Sequence, residues 1–135
     1  MDGICFSPSQ KIKLIGIGLY GSHENKIINA TIKILDGPSI SSNVIYEENI
    51  QVAPAPSKLK AVSPILFTNA ITCKQNQDYS VLLLPKRCAN CYGGQQGKNL
   101  IKGEKEVIFT FKKIIGIANG SKVEYGNFPE FYYYF

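Results

Sequence analysis

The side chains in this 135-residue sequence that most readily bind metals or act as nucleophiles are four cysteines and one histidine. Cys88 and Cys91 form a C-x-x-C pair, which supplies two of the four ligands of a structural zinc ion. Cys5, Cys73 and His23 are distant in sequence, and they complete a zinc site only if the fold brings them to this pair. We expect incidental thiols and no bound metal. A zinc site and a redox pair are the alternatives.

A second candidate for chemistry is the glycine-rich stretch GIGLYG at residues 16–21. Its spacing matches the dinucleotide fingerprint G-x-G-x-x-G, which needs a helix starting inside it to hold the pyrophosphate. A polar loop and an alternating strand pattern follow here instead. Residues 93–98, GGQQGK, resemble a phosphate loop, but their outer glycines are one residue too close and Asn99 replaces the Mg²⁺-binding Ser or Thr. Neither pattern predicts a nucleotide site.

The sequence offers little support for catalysis by side chains. A single histidine and no Ser-His-Asp arrangement leave nucleophilic hydrolysis without its usual groups. Glu47, Glu48 and the acidic residues at 104–106 have the pattern of solvated loop charges, not of a catalytic pair. We therefore predict that the protein is not an enzyme and needs no cofactor.

The charge and the apolar pattern restrict the possible partners. The net charge of +5 is moderate, and the lysines are scattered, with one adjacent lysine pair at residues 112–113. A nucleic-acid interface would instead cluster arginines with exposed aromatics. The N-terminus lacks signal-peptide features, and no apolar run approaches the ~20 residues of a membrane helix. We expect a cytoplasmic protein with reduced cysteines that neither binds nucleic acid nor inserts into a membrane.

Strand patterns account for most of the elements that must position these residues. Residues 27–35 alternate apolar and polar side chains with a period of two, and residues 79–84 form a nearly continuous apolar run that stops at Pro85. No segment carries a clean helical stripe. Many short strands with turns between them predict an all-β sandwich or barrel. The closing FYYYF at residues 131–135 is expected to pair within a sheet, because exposed it would promote aggregation.

Three stretches of the sequence together carry a resemblance to a known family. They are I-x-F with KIKLIGIGLYGS near the N-terminus, CYGGQQG at residues 91–97, and VIFTFKK followed by NGSKVEYGNFPE at residues 119–130. In this order and spacing the chain resembles the PHR domain. That module occurs in the PAM and Highwire proteins and is also similar to the C-terminal domain of some BTB/POZ proteins. The resemblance covers nearly all of the sequence.

The resemblance implies a single domain over residues 1–135. Its fold would be a jelly-roll-like antiparallel β-sandwich of about ten strands. It also implies a non-catalytic protein-interaction module that recruits a partner or substrate, as such domains do in ubiquitin ligases and in BTB adaptors. Two other functions stay open. A sandwich with loops of this kind could bind a small ligand or carbohydrate, or it could serve as a structural subunit of a larger complex.

The same resemblance points to residues for the binding site. The family's G-L-Y-G matches residues 18–21, its Y-G-x-x-G matches residues 92–97 with one extra residue or a shifted glycine, and its N-G…P-E motif matches residues 119–130. Gly-rich loops with embedded Tyr and Asn on a rigid sandwich are typical binding surfaces. We expect one depression at an end of the sandwich, lined by Tyr20, Tyr92, Gly97, Asn119 and Gly120. We expect turn-forming, structural roles for Gly18, Gly21, Gly93, Gly126 and Pro129.

Overall fold

The computed structural model describes residues 2–20, 27–52, 62–84, 100–102, 107–116 and 130–135, and in these ranges every regular element is a β-strand. The nine strands are β1 (Asp2–Pro8), β2 (Ile12–Tyr20), β3 (Ile28–Leu35), β4 (Val44–Val52), β5 (Val62–Cys73), β6 (Tyr79–Leu84), β7 (Leu100–Lys102), β8 (Ile108–Lys112) and β9 (Glu130–Tyr134).

The strands form two sheets. One has six strands in the order β4-β3-β6-β1-β8-β7, and the other has three in the order β5-β2-β9. Neighbouring strands pair antiparallel in both sheets. The two sheets bury one hydrophobic core between them, to which strands of both contribute. The predicted all-β antiparallel sandwich is confirmed, with nine strands in the described ranges against the expected number of about ten.

Side-chain alternation explains why β3 faces the core, and a covering layer explains why β6 does not alternate. Ile32 and Ile34 are fully buried, whereas Lys33 between them is half-buried. Strand β6 is buried on both faces because residues 36–43 and 113–116, here called the outer cover, lie over the outside of the six-stranded sheet. Leu35, Leu82 and Ile114 form the small second core beneath this cover.

Hydrogen bonds hold the outer cover in place. Two backbone hydrogen bonds join its two parts. The N–H of Ile40 donates to the Ile115 carbonyl oxygen at 3.0 Å, and the N–H of Ile115 donates to the Pro38 carbonyl oxygen at 2.8 Å. The fully buried Ser80 hydroxyl donates to the Gly37 carbonyl oxygen at 2.6 Å. That bond satisfies a carbonyl that would otherwise be buried without a partner.

The aromatic end of the chain pairs within a sheet, as the sequence predicted, and packs Phe131 and Tyr133 against the core. Strand β9 pairs with β2, which places Phe131 beside Ile17 and Tyr133 beside Leu14. The Phe131 ring centroid lies 5.0 Å from that of Phe6 in an edge-to-face arrangement, and 6.1 Å from that of Phe109. Such pairs add about 0.5–1.5 kcal/mol each beyond the burial of apolar area.

An irregularity in β2 and β5 brings the edges of the two sheets together. Between Leu14 and Gly16 the register with β5 shifts, so residues 67–70 of β5 lie opposite Ile15 alone. The backbone N–H of Thr68 in this bulge donates to the Glu48 carboxylate of β4 at 2.9 Å. The bulge therefore closes one side of the sandwich by reaching the edge strand of the opposite sheet.

The two ends of the sandwich differ in how the chain connects the strands. At one end, called the turn end, residues 9–11 and 74–78 make short connections, and the N–H of Asn76 donates to the Pro8 carbonyl oxygen at 2.7 Å. Asn76 has a φ of 58°, a left-handed conformation that asparagine tolerates in turns. At the opposite end, called the loop end, the longer segments 21–27 and 53–61 connect the two sheets.

Candidate functional site

The structure describes the predicted site only in part. Tyr20 is the last residue of β2, and its backbone pairs with Val62 of β5. Gly18 lies inside β2, between Pro64 and Glu130 of the neighbouring strands, so it occupies a strand position and not the predicted turn. The other predicted residues lie outside the described ranges: Tyr92, Gly97, Asn119 and Gly120 of the binding site, and Gly21, Gly93, Gly126 and Pro129 of the turns.

Strand pairing shows where the segments that carry these residues are attached. Leu84, which precedes residues 85–99, pairs with Thr31, three positions from the start of β3 at the loop end. Glu130, which follows residues 117–129, pairs with Gly18, two positions from the end of β2 at the same end. Both motif-bearing segments thus join the sandwich at its loop end, the end that Tyr20 also reaches.

The other borders of the two segments lie elsewhere. Leu100, which follows residues 85–99, pairs with Thr110, and Thr110 pairs in turn with Ser7, close to the turn end. Gly116, which precedes residues 117–129, belongs to the outer cover. Each segment therefore connects the loop end to a different part of the six-stranded sheet.

A polar ladder lies on the outer face of β3 and β4, beginning one position from the loop end. Asn29 pairs with Gln51, Thr31 with Asn49 and Lys33 with Glu47. The Thr31 hydroxyl donates to the Asn49 side-chain oxygen at 2.9 Å, and Lys33 Nζ lies 3.3 Å from a Glu47 carboxylate oxygen. These cross-strand pairs fix the register of the edge strand β4.

The upper part of this ladder lines an open depression of about 540 Å³. Its lining residues are Asn29, Ala30, Thr31, Asn49, Ile50 and Gln51. Side-chain amides both donate and accept hydrogen bonds, and none of the lining residues is charged. The depression thus offers neutral polar groups to a peptide amide or a hydroxyl, and it lacks the groups that acid–base catalysis requires.

The neighbouring inner positions of β4 have a structural role that the sequence did not reveal. Glu48 was expected to be a solvated loop charge, but it lies in β4 and accepts hydrogen bonds from the Tyr46 hydroxyl and the Thr68 N–H. These bonds, that of Tyr46 first, lower the pKa of Glu48. Burial, followed by the bond to Glu48, raises the pKa of Tyr46. Tyr46, Glu48 and Ile50 occupy alternate positions, and this period of two in the sequence could have predicted that β4 is one continuous strand.

The cysteines that the structure describes are unsuited to chemistry. Cys5 and Cys73 are free and fully buried. Burial is the main cause that raises the pKa of Cys5 to about 11, and burial raises that of Cys73 to about 12. Both thiols are therefore protonated at neutral pH and pack as small apolar side chains. Cys88 and Cys91 lie outside the described ranges.

The described residues contain neither a metal-binding cluster nor a membrane-spanning helix. They contain no group of three or more His, Cys, Asp or Glu side chains able to hold a metal ion. They also contain no helix with the length and apolar character needed to span a bilayer.

Comparison with known proteins gives one positive result. A family model described as the PHR domain matches residues 1–134, essentially the whole chain, which confirms the resemblance that the sequence motifs carried. A search of curated proteins found no match.

Proposed function

We propose that this chain, which belongs to the PHR domain family, recruits a protein partner or substrate to a multi-component assembly such as a ubiquitin ligase. Membership of this family supports a protein-interaction module in general, and such domains are generally non-catalytic. The proposal adds the type of assembly and the location of the binding surface.

The proposed surface is the loop end, with Tyr20, Tyr92, Gly97, Asn119 and Gly120 as contact residues. One observation carries this assignment: the segments that bear the last four residues attach at the same end of the sandwich at which β2 ends in Tyr20. Tyrosine and asparagine on loops of a rigid scaffold suit this role, because tyrosine provides a large contact area at a low entropic cost.

The proposed place of action is the cytoplasm, where thiols stay reduced. Cys5 and Cys73 lie on strands of different sheets and are free, which is the state that a reducing compartment maintains. No nucleic acid and no cofactor enter the proposal.

A small polar ligand or a carbohydrate is the second candidate, and the amide-lined depression of Asn29, Thr31, Asn49 and Gln51 favours it. The depression adjoins the loop end, so a ligand there would lie close to the proposed partner surface. Its openness and its sheet-face location argue against it, because small-molecule sites usually enclose most of the ligand. A structural subunit role is a variant of the first proposal, with a permanent partner.

The experiment that tests the proposal is affinity capture from the source cell with the wild type beside a Tyr20→Ala, Tyr92→Ala double variant. Thermal melting checks that both proteins are folded. A Val44→Ala, Ile45→Ala double variant is the matched control, because these exposed apolar residues lie at the turn end.

We expect the wild type and the turn-end control to enrich the same specific proteins, and the folded Tyr20, Tyr92 variant to lose them. If all three proteins enrich the same partners, the loop end is not the binding surface. Calorimetric titration with mono- and oligosaccharides tests the second candidate: heat that disappears on an Asn49→Ala change would support a ligand site in the depression.

A further inference from the structure

The longer segment of the outer cover is fastened mainly to itself. The N–H of Asp36 donates to the Asn43 carbonyl oxygen at 3.0 Å, so the first and last residues of this segment are joined. Between them, the N–H of Ser42 donates to the Ser39 carbonyl oxygen at 2.9 Å, and the N–H of Ser39 donates to the Ser42 hydroxyl oxygen at 3.2 Å. A loop whose ends meet and whose own side chains hold it together keeps its shape when it moves.

The shorter segment of the outer cover is fastened to the longer one. Ser39 and Ile115 form a parallel bridge, made by the two hydrogen bonds of Ile115 with Pro38 and Ile40. A Cβ atom added to Gly116 would lie 2.7 Å from Ile40 Cγ1, so the isoleucine side chain lies directly over this glycine. The two segments are thus joined through backbone and side chain, and neither can leave the sheet without the other.

The attachment of the outer cover to the sheet beneath it is small by comparison. In the described ranges, one hydrogen bond joins the two, from the Ser80 hydroxyl to the Gly37 carbonyl oxygen. Their buried apolar contact is the second core, in which Ile114 packs with Leu35 and Leu82. The main core contains seventeen of the described residues, and none of these three belongs to it. A segment with few buried contacts to the rest of a protein opens more readily than the whole protein unfolds.

The strand pairing is already irregular where the outer cover leaves the sheet. Ile34 pairs with Tyr46, but Leu35 pairs with Val44, so Ile45 is left in a bulge at the root of the longer segment. The bulge interrupts the regular ladder of β3 and β4 at this point. The outer cover can therefore move away without breaking the pairs of these strands that lie beyond the bulge.

A natural reporter lies beneath the outer cover. Cys5 precedes the core residue Phe6 in β1, so its side chain points to the outside of the larger sheet. It pairs with Ser80, the residue that bonds to Gly37 of the outer cover. Cys73, by contrast, belongs to the main core. Both thiols are fully buried, and they report on the opening of different parts of the protein.

We propose that the outer cover opens as one unit while the sandwich remains folded, and that this opening uncovers Leu82 and the Cys5 thiol on the outside of the larger sheet. The domain then has two states, one with this face covered and one with apolar side chains of β3 and β6 accessible. The proposal is independent of the loop-end proposal, because no residue of the loop end takes part in the opening.

Alkylation of the native protein, resolved for each cysteine, tests the proposal. The protein is incubated with iodoacetamide at pH 8, and the modification of each cysteine is followed over time by digestion and mass spectrometry. Because Cys5 and Cys73 are fully buried, each reacts only from an opened state. We expect Cys5 to react at least about tenfold faster than Cys73. Urea below the unfolding transition should accelerate Cys73 strongly and Cys5 weakly, since opening the outer cover exposes less surface than unfolding.

Two variants form a matched pair that separates local opening from unfolding. Ile114→Val removes one methylene group from the second core, and Ile17→Val removes one from the main core; both isoleucines are fully buried. We expect Ile114→Val to raise the alkylation rate of Cys5 about two- to tenfold. Ile17→Val should raise the rate of Cys73 by a similar factor and leave that of Cys5 unchanged.

Amide hydrogen exchange tests whether the two segments open together. The N–H groups of Ile40 and Ile115 are both hydrogen-bonded, and one lies in each segment. We expect their protection factors to agree within about threefold, because a single opening exposes both. Ile114→Val should lower both protection factors by the same factor by which it raises the alkylation rate of Cys5.

Three results would overturn the proposal. If Cys5 is not alkylated, reacts at the same rate as Cys73, or responds equally to Ile17→Val, it is reached only by unfolding of the whole domain. A Cys5 rate that does not respond to Ile114→Val would assign its exposure to another movement, such as fraying of β1. Protection factors of Ile40 and Ile115 that differ by more than about tenfold would show that the segments open separately.

Discussion

Replacing Gly16 with alanine tests the close approach of β2 to β5 at the bulge. An added Cβ would lie 2.4 Å from the backbone oxygen of Ile65 and 3.1 Å from the Cα of Leu66. A backbone oxygen cannot rotate away as a flexible side chain can, so one of the two strands must move. We expect Gly16→Ala to destabilise the fold, although alanine itself is usually favoured over glycine in a strand.

The size of the effect follows from two opposing contributions. Forcing extra atoms into a well-packed site costs about 1–3 kcal/mol, and contact with backbone places this case near the upper value. The smaller entropy of the unfolded alanine chain offsets about 0.4–1 kcal/mol of that cost. The net loss is about 2 kcal/mol. For a domain of this length, with an unfolding entropy of ~2.1 cal/mol/K per residue, it corresponds to a decrease in Tm of about 7 °C.

Thermal unfolding followed by circular dichroism measures this shift, with Thr72→Ala as the control. Thr72 is exposed on β5, the strand that Gly16 approaches, and its replacement should change the free energy of unfolding by no more than about 0.5 kcal/mol. A Gly16→Ala protein that melts at or above the wild-type temperature would refute the reasoning. It would mean that β5 leaves room for a Cβ atom at position 16, so that the backbone oxygen of Ile65 does not approach β2 as closely as described.

Three further predictions concern other contacts. Ser80→Ala leaves the buried Gly37 carbonyl without its donor, so the free energy of unfolding measured in urea should fall by about 1–3 kcal/mol. Ser41→Ala, at an exposed serine, is the control and should change it very little. Equal losses in the two variants would show that the Ser80 hydrogen bond does not stabilise the outer cover. The lowered pKa of Glu48 stabilises the fold above its unfolded-state pKa, and this contribution is lost as the pH falls through the folded-state value. Glu48→Gln should therefore lower the free energy of unfolding at pH 7, by less than about 1 kcal/mol because the site is partly exposed. This difference from the wild type should shrink between pH 7 and pH 3.5. A difference that stays constant would show that it does not come from the Glu48 charge. Deleting residues 131–135 removes β9 and its ring contacts, and we expect no cooperative melting transition, so a transition near the wild-type temperature would show that β9 is dispensable.

The fold class could be predicted because the strongest strand signals are local. The alternation around Ile32 and Ile34 and the apolar run at residues 79–84 correspond to β3 and β6, which lie side by side in the larger sheet. The pairing of the FYYYF sequence within a sheet was also predictable, because five consecutive aromatics on an unpaired segment would promote aggregation.

What could not be predicted depends on contacts between distant parts of the chain. Strand β4 looks like two short apolar pieces interrupted by polar residues, but it is continuous because Glu48 bonds to the β5 bulge and Glu47 pairs with Lys33. Strand β5 continues through Pro64 because it lies at the edge of its sheet, where proline costs no ladder hydrogen bond. Gly18 was expected in a turn but lies inside β2, and Gly16 permits the close approach of β5 to the same strand.

The candidate site was predicted from the order of its motifs, not from geometry. The sequence gives no means of placing residues 85–99 and 117–129 in space, because neither segment has a hydrophobic period that would orient it. Strand pairing locates one border of each segment, because Leu84 and Glu130 both lie near the loop end of their strands. The contact roles of Tyr92, Gly97, Asn119 and Gly120 remain predictions.

The difference between the two ends of the sandwich has an evolutionary consequence. Short connections at residues 9–11 and 74–78 each join a strand of one sheet to a strand of the other, β1 to β2 and β5 to β6, and so limit how far the two sheets can shift against each other at this end. Relatives of this domain can therefore diverge in the length and composition of the longer connections at the loop end, and acquire new partners, while they inherit the same scaffold.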